Sequence, residues 1–179
     1  MKPARILLIG LIVCLTALLI AAQAGLAWAV PKGLSPQEKG SVTPWDFIVT
    51  KSGVKVDIKI KKCVAPPDPT SSVPPCASGA LWGMRGALIG ATLLLPIAIV
   101  PLYLKRYEKL ALGLMSVGLV LVVVGVALWF VWQGSADGIG KKSNFCGGAD
   151  CKYNLGIGLI LTLVAFVTAA RSVELKLSS

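Results

Sequence analysis

The chain has 179 residues, of which 55% are hydrophobic, and its mean hydropathy is +0.78. The polar sequence is too short for a separate soluble domain of ordinary size, and the segment 31–78 is the longest part suited to water. The formal net charge of +10 is scattered, with no basic stripe interleaved with stacking aromatic residues, which argues against nucleic-acid binding.

Four apolar runs are each about as long as a helix needs to cross a bilayer. A helix that rises about 1.5 Å per residue crosses about 30 Å of hydrocarbon in roughly 20 residues. The predicted fold class is therefore an all-α membrane protein, a single domain of residues 1–179. It is a bundle of four transmembrane helices with a small β-hairpin in the long first extracytoplasmic loop. The predicted helices cover residues 6–30, 80–104, 110–132 and 155–170, and the outer loops cover 31–78 and 133–152.

The first run has two interpretations. It begins after Lys2 and Arg5 and ends in Ala27-Trp28-Ala29, a pattern that also fits a cleaved signal peptide. The uninterrupted apolar stretch Ile6–Ala22 is longer than the core of a typical signal peptide. We therefore predict an uncleaved helix, and cleavage stays the alternative.

Within the apolar runs, small and polar residues predict how the helices pack. Without water, close backbone approach through small residues supplies the packing energy, and the same faces would equally suit a partner helix. Arg85 and Gln23 lie near the outer ends of their runs and are predicted to be structural. Arg85 is expected either to snorkel to the interface or to bond a loop carbonyl or Gln23. The predicted packing residues, most of them four positions apart, are Ala17, Ala21 and Gly25 in the first run and Gly79, Gly83, Gly86 and Gly90 in the second.

Residues 45–62 of the first outer loop predict the β-hairpin. Val54, Val56, Ile58 and Ile60 alternate with charged residues, and this period of two places one apolar face inward and one basic face in water. Exposed lysines usually form only a solvated face, but a hairpin edge also suits a binding partner. The predicted contact surface runs from Val54 to Lys61 with the Pro-rich segment that follows. The predicted contact residues are Lys55, Lys59, Lys61 and Trp45.

Four of the five cysteines lie in the two predicted outer loops, which favours disulfides in an oxidising compartment. The local pairings are Cys63 with Cys76 and Cys146 with Cys151, although four cysteines permit three connectivities. A thiolate metal site is the competing interpretation, and the absence of histidine argues against it. Cys14, inside the first run, is expected to be a small buried hydrophobe.

Charge and aromatic positions predict the orientation. The positive-inside tendency places the short connection with Lys105 and Arg106, and both chain ends, in the cytoplasm, although the first loop is also rich in lysine. The loops with cysteines then face the extracytoplasmic side. Four tryptophans near the outer ends of the runs predict an interfacial belt, with a tryptophan-lined ligand site as the alternative. They are Trp28, Trp82, Trp129 and Trp132.

The layout resembles the claudin and peripheral myelin protein superfamily. Four predicted spans, a longer first outer loop with Trp45 and the Cys63/Cys76 pair, and Arg85 near the outer end of the second span carry this resemblance. It covers the whole chain as a layout. It implies lateral association in the membrane and contacts between cells, or with larger complexes, through the outer loops.

Together these features predict a non-enzymatic membrane scaffold or adhesion protein whose disulfide-stapled outer loops mediate protein–protein contacts. The alternative is an accessory subunit of a larger membrane complex, and a transporter or membrane enzyme is the third interpretation. We expect no catalytic, cofactor-binding or metal-binding residue, because the apolar runs lack His, Asp and Glu. The expected partners are membrane lipids and other membrane proteins, in homo- or hetero-oligomers.

Overall fold

A computed structural model gives the fold, and it describes residues 3–32, 38–51, 54–63, 76–104, 107–135, 138–139 and 152–177. Long apolar helices and short strands alternate along the chain. In order, these elements are α1 (Pro3–Gln23), β1 (Ala29–Lys32), β2 (Glu38–Val42), β3 (Asp46–Lys51), β4 (Val54–Lys59), α2 (Gly79–Ile97), α3 (Ile99–Tyr103), α4 (Glu108–Gln133), β5 (Lys152–Leu155) and α5 (Ile157–Leu177).

The five strands form one antiparallel sheet in the order β4-β3-β2-β1-β5. β3 and β4 are the two strands expected for the hairpin. β2 extends them, and β5, which precedes α5, pairs with β1, which follows α1. The sheet therefore joins the two segments that sequence reasoning treated as separate outer loops.

The predicted fold class, an all-α bundle of four transmembrane helices, is wrong. Among the residues that the structure describes, two helical stretches are long and apolar enough to cross a membrane, Gly79–Pro101 with 23 residues and Lys109–Gln133 with 25. The apolar parts of α1 and α5 are shorter, Ile9–Gln23 and Ile157–Val167. The small hairpin of the prediction is part of a five-stranded sheet, so the fold combines α-helices and β-strands.

The first helix ends earlier than predicted because of a glycine. Gly25 has a φ of 130°, a backbone conformation that side chains with a Cβ rarely adopt, and α1 ends just before it at Gln23. The following apolar residues then extend as β1, and Ala29 pairs with Val42 of β2. The segment 24–30 is thus a turn and a strand, which shortens the apolar helix.

Pro96 lies inside α2, and the helix breaks at Ala98 before α3 begins. Pro101, inside α3, has no N–H to donate to the carbonyl four residues before it, so the helical ladder is interrupted at this point. The N–H of Ala98 is directed at the carbonyls of Leu94 and Leu95. The predicted helix 80–104 is therefore two helical pieces in one apolar stretch.

Glycine and leucine alternate across the contact between α2 and α4. At each of four positions a Cβ added to the glycine would lie 3.0–3.2 Å from a leucine methyl group of the other helix. The glycines lie seven residues apart on each helix, as expected when two helices share a heptad seam. The four pairs are Gly83 with Leu128, Gly90 with Leu121, Gly118 with Leu95 and Gly125 with Leu88.

Only part of the predicted packing set lies on this seam. An added Cβ at Gly79 or Gly86 would meet nothing within 4 Å, and both residues are exposed. Ala17, Ala21 and Gly25 are also exposed. The spacing of four residues therefore did not identify the seam, which follows the spacing of seven.

We predict that Gly125→Leu destabilises the fold by about 1–3 kcal/mol, because the larger side chain overpacks against Leu88. The measurement is thermal unfolding in detergent micelles, followed by circular dichroism. Gly113→Leu is the matched control on the same helix, since a Cβ there meets nothing within 4 Å. Equal melting temperatures for the two variants would contradict the glycine–leucine seam.

Candidate functional site

Arg85 joins the second helix to the sheet. Its side chain is 4% exposed, and Nε donates to the carbonyl of Pro44 at 2.8 Å while Nη2 donates to the carbonyl of Ile60 at 3.1 Å. Pro44 precedes β3 and Ile60 follows β4, so one guanidinium holds both ends of the hairpin. The predicted bond from Arg85 to a loop carbonyl is present twice.

Two tryptophans enclose the same guanidinium. The Arg85 Cζ lies 4.8 Å from the ring centroid of Trp45 and 5.0 Å from that of Trp82. A guanidinium near an aromatic face is attracted by the negative π-cloud, and it replaces there some of the hydration that it loses on burial. Trp45, predicted as a partner contact, therefore holds Arg85 in place, and its ring is half-buried.

Gln23 does not meet Arg85. Its Nε2 donates to Thr92 Oγ1 at 2.8 Å and to the Leu19 carbonyl at 3.2 Å, and the Thr92 hydroxyl donates to the Leu88 carbonyl at 2.8 Å. The amide thus links α1 to α2 two turns below Arg85 on α2. The predicted structural role of Gln23 holds, but its partner is Thr92 and not Arg85. The predicted helix continued to residue 30, whereas α1 ends at Gln23, so the level of Gln23 relative to α2 was misjudged.

The predicted disulfide between Cys63 and Cys76 is confirmed. Beside it Lys62 forms a parallel bridge with Ala77, whose N–H donates to the Lys61 carbonyl at 2.7 Å. A disulfide that closes a loop of this length stabilises the fold by about 3 kcal/mol in the chain-entropy account. The staple fixes the end of β4 against the start of α2.

Of the other three cysteines, Cys14 lies among the residues that the structure describes. Cys146 and Cys151, predicted as the second disulfide, lie outside the described residues. Cys14 is a free thiol on an exposed position of α1, so the prediction that it is buried is wrong. The described residues contain no group of three or more His, Cys, Asp or Glu placed to hold a metal ion.

Three tryptophans form the core beneath the sheet. Trp28, Trp129 and Trp132 are fully buried, with ring centroids 5.3 Å apart for Trp28 and Trp129 and 5.1 Å apart for Trp129 and Trp132. The predicted belt is therefore wrong for these three, while Trp82, 51% exposed, remains at the surface. Ala29, Val42 and Phe47 of the sheet pack on this cluster.

Hydrogen bonds from the tryptophans tie the core to the chain around it. Trp28 Nε1 donates to the Ala22 carbonyl at 2.7 Å, and Trp132 Nε1 donates to the Cys76 carbonyl at 2.8 Å. The second bond links the end of α4 to the disulfide. Trp129 Nε1 has no hydrogen-bond partner among the described residues.

The chain between α1 and β1 lies directly on the start of α5. The Gly156 N–H donates to the Trp28 carbonyl and the Gly158 N–H to the Ala27 carbonyl, both at 2.8 Å. A Cβ at Gly156 would overlap the Ala27 carbonyl oxygen. Glycine is therefore required here by close backbone approach, a role that sequence reasoning did not assign to it.

β4 is an edge of the sheet and carries the exposed charges. Lys55, Asp57 and Lys59 alternate along its outward face, and the register sets Lys59 opposite Asp46 and Asp57 opposite Ile48 of β3. Ile58 is half-buried and Ile60 is buried, as the alternation predicts. Val54, at the start of β4, is 64% exposed, so its predicted inward position is wrong. Lys61 and Lys62, just after β4, are also exposed.

We predict that Arg85→Leu loosens the sheet by about 3 kcal/mol, because two buried carbonyls lose their donors. The measurement is amide hydrogen exchange of β3 and β4 relative to α4, and a factor of about 100 is expected in the strands. Arg85→Lys keeps the charge but not the fork that reaches two carbonyls, so an intermediate rate is expected. Strands that exchange at the unmodified rate in Arg85→Leu would refute the anchoring role.

Comparison with known proteins leaves function to be argued from this geometry. No protein-family model matches the sequence, and no curated protein matches it. The resemblance to claudins and peripheral myelin proteins stays a prediction.

Proposed function

We propose that this chain is a non-enzymatic membrane protein, held in the bilayer through α2 and α4, whose disulfide-stapled sheet contacts another protein. The observation that carries the proposal is the exposed, charged edge strand β4 on a sheet fixed to the helices by Arg85 and by the Cys63–Cys76 disulfide. A rigid surface of this kind loses little conformational freedom when it binds.

The proposal that α2 and α4 lie in a membrane is supported by the apolar outer faces of these two helices. Large apolar side chains are exposed along the full length of α2 and α4, on the sides turned away from their seam. Contiguous apolar surface of this extent is unfavourable in water and suited to lipid. These exposed residues include Ile89, Leu93 and Ile97 on α2 and Val117, Val120, Val124 and Val131 on α4.

The proposed orientation has the sheet outside the cell or in an equivalent oxidising compartment. The disulfide lies at the sheet end of α2, and disulfides persist in oxidising compartments. The connection between α3 and α4 is at the opposite end of α2, and because its sequence contains Lys105 and Arg106, the positive-inside tendency favours the cytoplasm there. α1 leads into the sheet and α5 leads out of it, so the proposed orientation would place the start of α1 and the end of α5 on the cytoplasmic side.

The edge strand suits a partner with an acidic, extended segment. The outer side of β4 offers main-chain groups for an added strand, since its other side is taken by β3 in the sheet order. Lys55 and Lys59 lie on one face beside this edge, with Asp57 between them, and these two lysines would pair with acidic residues at two positions of the added segment. Charges at such a rim steer association and select the partner.

We predict that the double substitution Lys55→Glu, Lys59→Glu weakens the partner contact about tenfold or more, because it reverses the charge of the edge. The measurement is native mass spectrometry of protein extracted in mild detergent without reducing agent, after crosslinking in its own membrane. Lys109→Glu, an exposed lysine at the far end of α4, is the control and should leave the complex intact. An unchanged complex in the double variant would contradict the assignment of β4. The mass of the complex also shows whether the partner is a second copy or a different chain.

A second candidate function, an accessory subunit that docks through its helices, is favoured by one observation. Gly79 and Gly86 lie on the exposed face of α2, where an added Cβ would meet nothing within 4 Å. Small residues that no helix of this chain covers would allow the backbone of a partner helix to approach closely.

This candidate predicts that Gly86→Leu releases a co-purifying subunit while the sheet and its disulfide remain intact, because the new side chain blocks close helix approach. The readout is the mass of the complex, as for the β4 variants. Gly113→Leu, at an equally open position on α4, should have no effect. If Gly86→Leu retains the complex and the β4 variant loses it, docking through α2 is excluded in favour of contact through the sheet.

A further inference from the structure

We propose that Lys61 and Lys62 bind the phosphates of anionic phospholipid head groups at the membrane surface on the sheet side. This inference rests on the membrane position proposed above and assigns a lipid contact to residues that the β4 edge does not use. It follows from the depth at which these two lysines are held, from their exposure and from the local charge.

The depth of the two lysines is set by their neighbours. Arg85 is near the end of the second turn of α2, and its Nη2 donates to the Ile60 carbonyl, so the residue before Lys61 is held beside the first two turns of that helix. Helical side chains lean toward the helix N-terminus, which places this carbonyl near the level of the first turn. Lys62 pairs with Ala77, two residues before α2 begins at Gly79.

That level corresponds to the head-group layer of a bilayer. The apolar stretch Gly79–Pro101 has 23 residues, or about 34 Å of helix, which slightly exceeds about 30 Å of hydrocarbon. Its first turn therefore lies at the boundary between hydrocarbon and head groups. Trp82 on this turn is 51% exposed, as is typical of an aromatic residue at the interface.

Both lysine side chains are free to reach lipid. Consecutive residues of an extended segment point in opposite directions, and both Lys61 and Lys62 are exposed, so this segment is open on two sides. Their backbone is fixed by the Ala77 N–H bond to the Lys61 carbonyl and by the disulfide at Cys63. The backbone of the two lysines is thus held in place, while their aliphatic side chains can extend along apolar surface and carry the ammonium groups to the phosphates.

The local charge favours an anionic ligand. The stretch from Lys59 to Lys62 contains three lysines and no acidic residue. Lys59 lies opposite Asp46 in the sheet register, whereas Lys61 and Lys62 follow the last β3–β4 pair and have no acidic residue across the ladder. Lysines close to an anionic membrane surface gain attraction that falls off within about a Debye length.

The test uses the purified full-length chain in nanodiscs with equimolar phosphatidylglycerol and phosphatidylcholine, released into native mass spectrometry to count retained lipids. We expect phosphatidylglycerol to be retained in excess, and Lys61→Gln, Lys62→Gln to reduce that excess about tenfold. Lys55→Gln is the matched control, because this lysine lies near the hairpin tip, roughly 20 Å farther along β4 at about 3.3 Å per residue.

Two results would overturn the lipid contact. One is an undiminished phosphatidylglycerol excess in the double variant, and the other is an equal loss in the Lys55→Gln control. An unchanged circular dichroism spectrum and an intact Cys63–Cys76 disulfide show that the double variant is folded. Flotation with pure phosphatidylcholine vesicles after carbonate washing separates the two proposals. A chain that fails to float refutes the membrane position itself, whereas a chain that floats without preferring phosphatidylglycerol refutes only the lysine site.

Discussion

A guanidinium buried where the helices meet the sheet is the constraint on which this structure depends. Burial removes the hydration of the Arg85 guanidinium, a desolvation cost that hydrogen bonds must offset. The guanidinium donates to two main-chain carbonyls and contacts two aromatic faces. Since those carbonyls belong to Pro44 and Ile60, the charge holds β3 and β4 at once. The same bonds that allow the arginine to be buried therefore fix the hairpin that we propose as a contact surface.

The helices that could be predicted were those whose signal is internal to the segment. α2 and α4 follow from long apolar runs, in which Arg85 is the one charge of α2, and the strand β4 follows from strict alternation. β1 could not be distinguished from the helix before it, because Ala29 and Val30 suit an apolar helix as well as a buried strand. Pro31, in addition, is disfavoured in strands. β5 is a polar segment of four residues whose strand conformation comes from its pairing with β1. Long-range pairing of this kind leaves little trace in a single sequence.

The site was predictable to a similar extent. Arg85 and the Cys63–Cys76 pair were found because a charge in an apolar run and two loop cysteines have few alternative explanations. The buried tryptophans were assigned to an interface because their positions near helix ends fit both a belt and a core. The sheet that covers them makes them part of the core.

The packing role of the small residues was also misassigned. A spacing of four marks one helix face, but the partner chosen by α2 is the antiparallel α4, whose leucines recur every seven residues.

The pairing of β1 with β5 has a consequence for how the protein is made. It joins Ala29–Lys32 to Lys152–Leu155, segments separated by most of the chain. Because synthesis proceeds from the N-terminus, β1 has no partner on this side until β5, just before α5, has been made. During that interval the sheet carries an open edge that another chain can occupy. A chain that stops before β5 therefore keeps β1 as an edge of the sheet, open to pairing with another strand.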